Sequence, residues 1–193
     1  MEKEFNEQES ITVIQKMIEK VKVEFNDDSF YYLLWGWLVF GASISNFILL
    51  KINYEYASIP WALMPLGVII TAVYAFRHER NKRVRTYMDD FFKYVLIAFG
   101  VSLAIVLFLQ SKLLLNTYPM ALMVYGSFLF IAGGAINFRP LIIGGIVNWI
   151  CGITAFFVSF DIQLLILAAG VILGYVIPGY RLKAHYKKNV QGA

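Results

Sequence analysis

Two acid pairs are the first residues in this chain that could do chemistry. Asp27–Asp28 and Asp89–Asp90 each stand directly before an apolar run, in "NDDSFYYLLWGW" and "DDFFKYV". Four carboxylates brought together would supply the oxygen ligands of a hard cation. Taken singly, each pair suits another task. A helix start has free N–H groups and a positive dipole end, and both favour an acid. Helix capping is the expected role, with no metal or cofactor site.

A second set is polar and uncharged. Asn46, Ser127 and Asn148 lie inside apolar runs, with Ser43, Ser45, Cys151 and Thr154 near them in sequence. Asn148 and Cys151 are three residues apart and share a helical face. If Asn46, Ser127 and Asn148 faced one another they would line a polar cavity for a small solute. The competing role is hydrogen bonding between helices, which is routine among membrane spans and is the expected one. The third set is basic: Arg80, Lys82, Arg83 and Arg85 crowd "RHERNKRVRTYMDD". Four or more cations beside a span are suited to anionic lipid headgroups.

Several chemistries lack their residues. No Asp, Glu, Arg or His lies in the central part of an apolar run, which weighs against a proton-coupled carrier, a voltage sensor and an intramembrane metalloprotease. Both histidines, His78 and His185, sit in basic flanks, so no serine within a run has a base beside it. There is no phosphate-binding glycine loop, zinc-ligand spacing or nucleophile elbow. The expectation is a protein that is not an enzyme.

The elements that must position these residues are membrane spans. Of the 193 residues, 59% are hydrophobic and only 16% are charged, whereas a soluble domain carries about a quarter charged residues. The apolar residues fall into runs of about twenty, the length that crosses a hydrocarbon core as a helix. Six spans are expected: 30–50, 58–76, 91–109, 118–137, 141–160 and 162–180. Pro60, Pro119 and Pro140 mark starts, where a missing N–H has no helical partner. Pro65 is expected to kink the second span, and Pro178 to close the last. The fold class is therefore all-α and polytopic. Residues 1–29 form a cytoplasmic segment, 30–180 the six-helix bundle, and 181–193 a basic tail. The first 29 residues lack the pattern of a cleaved signal peptide, so they are expected to be retained.

Direction follows from the cations. With six spans, 15 of the 17 Lys and Arg residues fall on one side, leaving Lys51 and Lys112 on the other. The positive-inside rule then places both termini in the cytoplasm of a cell whose inner membrane holds the chain. The net charge of +4 is thus a topology signal and not a nucleic-acid footprint.

A repeat is visible in pairs of spans. "DDSFYYL" aligns with "DDFFKYV", and "IPWALMPLG" with "YPMALMVYG", at nearly one offset. This suggests hairpins 30–76 and 91–137, with a third at 141–180. Small residues four apart, Gly41 with Ser45, Gly100 with Ala104 and Gly170 with Gly174, are suited to close helix packing. Aromatics are expected in belts: Tyr31, Tyr32, Tyr94 and Tyr180 on the cytoplasmic side, and Tyr54, Tyr56, Trp61 and Tyr118 on the outer side. In the N-terminal segment Ile11, Ile14, Ile18, Val21 and Phe25 recur at helical spacing. Asn6 and Glu9 offer a capping box at its start. Residues 8–25 are therefore a candidate helix for lying on the cytoplasmic face or docking a protein partner.

The stretch "EKVKVEFNDDSFYYLLWGW", together with the terminal "LGYVIPGY", resembles a family of uncharacterised six-span membrane proteins of Bacteroidota-type bacteria. That resemblance implies the fold and location and supplies no functional residues. The expected function is a structural, scaffolding or regulatory one in the inner membrane. The alternative is a small transporter or channel for a neutral or lipid-like solute.

Overall fold

The computed structural model describes residues 29–79, 87–113 and 116–191. The docking helix at 8–25, Asp27–Asp28 and the cluster Arg80, Lys82, Arg83 and Arg85 lie outside the described residues, as does the side chain of Asp89. All regular structure among the described residues is helical. α1 spans Ser29–Lys51. A 3-10 stretch at Ile59–Leu63 leads into α2, Met64–Glu79. α3 is Tyr87–Phe108, α4 the short Gln110–Leu113, α5 Thr117–Ala135 and α6 Arg139–Ala155. α7, Phe160–Val171, passes through a π-helical turn at Ile172–Val176 into α8, Ile177–Gln191.

Among the described residues, five helical stretches are long and apolar enough to cross a membrane: Ser29–Lys51, Ile59–Arg77, Asp90–Phe108, Thr117–Ala135 and Phe160–Lys188. The apolar α6 has 17 residues and falls short of that length.

Two helices end where their chemistry says they should. After α1, Asn53 takes a left-handed φ of 53°. Tyr54 N–H then reaches Leu49 O (3.0 Å) and Asn53 N–H reaches Leu50 O (3.1 Å). After α5, Asn137 has φ 54°, with Phe138 N–H on Gly133 O (2.8 Å) and Asn137 N–H on Gly134 O (3.2 Å). Both are Schellman closures with asparagine as the left-handed residue. The same tripeptide type, Ile-Asn-aromatic, writes both.

Prolines behave in three ways. Pro140 is in the first turn of α6 and Pro119 in that of α5, as expected. Pro65 falls at the change from 3-10 to α geometry within the second membrane-length stretch. It is the second residue of α2, just after the 3-10 stretch, where a proline costs no helical hydrogen bond. Pro178 does not end the last helix. Its missing N–H would leave Gly174 O unpaired, and its ring would press on that carbonyl. The chain widens one turn earlier instead, with Ile177 N–H bonding back five residues to Ile172 O. The helix then continues to Gln191, so residues expected as a tail extend it.

The fifth expected span also stops early. α6 closes at Ala155, and Ser159, in an extended conformation (ψ 156°), opens α7 with Asp161 in its first turn. A serine followed by an acid is a helix-start signal, hidden here within an apolar run.

The helices pair in two tight sets. α5 and α6 run antiparallel, Gly133 facing Ile142 and Leu141, Gly126 facing Gly145 and Trp149, and Gly152 facing Pro119. α1 runs antiparallel to the whole of α7–α8. Lys51 meets Asp161 at 2.7 Å, Ser43 Oγ donates to Leu164 O at 2.7 Å, Gly36 faces Val176 and Gly179 faces Leu33. The core, with Tyr32, Val39, Leu122, Leu129, Leu141, Leu167 and Leu182, lies between these sets. Both tight sets cross the boundaries of the expected hairpins. Within the first two expected hairpins contact is lighter: Trp35 Nε1 donates to Thr71 Oγ1 at 3.1 Å between α1 and α2. Phe99 of α3 packs on Phe128 of α5 with centroids 4.5 Å apart.

Candidate functional site

The three residues of the expected polar cavity go to three places. Asn46, near the C-terminal end of α1, belongs to a cluster with Tyr118 and Trp61. Its amide satisfies all neighbours in one orientation: Nδ2 donates to Ala57 O (3.0 Å), and Oδ1 accepts from Trp61 Nε1 (2.7 Å) and Tyr118 Oη (3.2 Å). The reverse orientation would set acceptor against acceptor. Trp61 stacks on Tyr118 (5.6 Å, 27°), and Tyr118 continues to Phe160 (5.2 Å). Trp61 and Tyr118, expected in an interfacial belt, also tie the starts of α5 and α7 to the end of α1.

Asn148 is fully buried between α6 and the π turn. Its Nδ2 donates to Gly144 O at 2.8 Å and to Gly170 O at 3.2 Å. A Cβ on Gly174 would fall on that same nitrogen, and a Cβ on Gly144 would lie 2.7 Å from Gly174 O. The absence of side chains at Gly170 and Gly174 thus makes room for one amide, and that at Gly144 for the Gly174 backbone. That amide joins two helices by their backbones. Asn148 Oδ1 has no hydrogen-bond partner, and neither do the buried Gln163 Oε1 and Tyr175 Oη.

Ser127 is exposed. Its Oγ donates to Met123 O on its own helix (3.0 Å) and accepts from Trp149 Nε1 (3.4 Å). Thr154 likewise bonds back to Ile150 O (2.6 Å). Cys151 is half-buried. Tyr32, expected in the cytoplasmic belt, turns into the core beside Tyr175 with centroids 6.2 Å apart, whereas Tyr94 and Tyr180 stay exposed.

A sizeable concavity lies elsewhere among the described residues. A groove of about 600 Å³ runs between α3 and α5, lined by Asp90, Tyr94, Ala98 and Ser102 on one side and by Met123, Ser127 and Ile131 among others on the opposite side. It contains Ser127 but neither Asn46 nor Asn148. Sequence reading had no route to it, because it depends on where α3 leans. The one glycine of α3, Gly100, faces open space.

Among the described residues no group of three or more His, Cys, Asp or Glu side chains converges. The acid pairs are only partly in view, with Asp90 exposed in the first turn of α3. Comparison with family models, curated proteins and solved structures finds no match to this chain.

Proposed function

We propose that this chain is a six-span inner-membrane protein with a non-enzymatic structural, scaffolding or regulatory role, docking a cytoplasmic partner through residues 8–25. The carrying observation is how the polar side chains within the spans are used. Ser43, Asn46 and Asn148 each hydrogen-bond across helices, where a solute path would need them to face a common void.

The sixth span is α6. Seventeen residues rise about 25 Å and sit at the lower limit for a transmembrane helix. α6 lies alongside α5 from Gly133 to Pro119, which supports its crossing the same slab. The two ends of the bundle also sort by sequence. Lys51, Asp161, Trp61 and Tyr118 gather at one, while Phe138 and His185 meet at the other (6.1 Å). This alternation supports cytoplasmic termini under the positive-inside rule, with Arg80, Lys82, Arg83 and Arg85 set to touch anionic lipid. The parallel hairpin repeat rests on the sequence alignment.

The alternative, a small transporter for a neutral or lipid-like solute, draws on the α3–α5 groove. Deleting residues 1–25 separates the two. On the proposal, affinity capture from native membranes loses its specific protein partner on deletion. Liposomes holding the full chain then pass small neutral solutes no faster than empty ones. Capture unaltered by the deletion, with solute flux that survives it, would overturn the proposal in favour of transport.

A further inference from the structure

The groove between α3 and α5 has the length and the chemistry of a lipid site. From Asp90 at its mouth to Ser102 is twelve residues, about 18 Å of helix. One leaflet of a hydrocarbon core is about 15 Å. Its walls are apolar except for the hydroxyls of Tyr94, Ser102 and Ser127 and the Asp90 carboxylate. α3 is held by Phe99, against Phe128 and Tyr125, and none of its membrane-length stretch is buried. The groove therefore opens sideways, where acyl chains are the solvent.

The mouth decides which lipid. Asp90 lines the groove at its end and is exposed, while the exposed Lys93, three residues on, lies outside the lining. A carboxylate at the end of an acyl-chain groove complements a headgroup that ends in a cation. The ammonium of an ethanolamine headgroup meets Asp90. A lipid of net negative charge would bring its phosphate to the same place without an ammonium to offset that carboxylate. We propose that this groove binds one acyl chain of a cytoplasmic-leaflet phosphatidylethanolamine, with the headgroup ammonium held on Asp90.

Native mass spectrometry of the full chain, offered equal phosphatidylethanolamine and phosphatidylglycerol of matched chains, tests this. The wild type should retain phosphatidylethanolamine in preference by about fivefold, the scale of one surface charge contact. Asp90→Asn should remove the preference and leave chain binding in place. Ser102→Trp and Ala98→Phe, which fill the groove from α3, should each remove most of the bound lipid without lowering the unfolding midpoint. If one of them fails to fold, the other still reads the groove. Preference for phosphatidylglycerol, an Asp90→Asn variant that keeps its selectivity, or lipid retained in folded groove-filled variants would each overturn the proposal. The last result would mark the lipid as annular only.

Discussion

Gly144→Val should cost the bundle about 3 kcal/mol, the upper part of the range for overpacking a filled interior. The reason is what stands opposite. A Cβ at Gly144 would sit 2.7 Å from Gly174 O and 2.9 Å from Gly174 Cα. Both are backbone atoms of the π turn, so no side chain can swing away to make room. α6 would have to leave the π turn, and Asn148 would lose Gly170 O as it went. Gly41→Val and Gly100→Val are the controls, because at both positions a new Cβ meets nothing within 4 Å. They should shift stability by no more than about 0.5 kcal/mol, as surface changes do. Thermal midpoints from size-exclusion profiles in one detergent would compare the three. Equal midpoints would show that α6 and the π turn are not packed backbone to backbone.

Asn148→Asp should be as damaging, by a different route. The amide nitrogen now serves two carbonyls, Gly144 O and Gly170 O. A carboxylate there would face both oxygens with nothing to donate. Placing an ionised Asp at the centre of a span costs about 2.5–3.5 kcal/mol on insertion scales. Asn148→Leu avoids the charge and forfeits only the hydrogen bonds, about 0.6–1.7 kcal/mol in measured bundles. The expected order of midpoints is therefore wild type, then Asn148→Leu, then Asn148→Asp. An Asn148→Asp chain as stable as the leucine variant would mean that water reaches this position.

These two positions also show how far the sequence could be read. That Asn148 lies within a span, and that small residues recur at spacing four, is plain from residue order. Which small residues face a neighbour is not. Gly41 with Ser45 and Gly170 with Gly174 have the same spacing, yet Gly41 looks outward and Gly174 packs on Asn148 and Gly144. The difference is helix rotation, which hydropathy cannot report when all sides of a span are apolar. The same ambiguity hid Tyr32, whose ring was assignable to a belt by depth but faces inward by rotation.

Element ends were legible where a residue forces one outcome. Pro119 and Pro140 begin helices because no other helical position tolerates them so well. Pro178 admits two outcomes, termination or a widened turn. The π turn with Gly174 selects the second. Ser159 with Asp161 was readable as a start and was masked by the apolar residues around it. Asn53 and Asn137 carried a clear signal in their shared Ile-Asn-aromatic setting. Recognising it requires knowing that each residue takes a left-handed φ.

Asn46 and Asn148 could each be placed in two roles from sequence, lining or glue. The structure assigns them hydrogen bonds at separate helix contacts. That assignment underlies the proposed role, and the native Cys151 can probe it. Cys151 lies one turn from Asn148 on the face a polar path would use, and it is the chain's single cysteine. In sealed vesicles holding the full chain, a charged, membrane-impermeant thiosulfonate added to either side should leave Cys151 unmodified. The same reagent should label it fully once the chain is unfolded in detergent. Modification of the folded chain from either side would show that water reaches the Asn148 face, and would contradict a bundle whose polar residues serve only to hold its helices together.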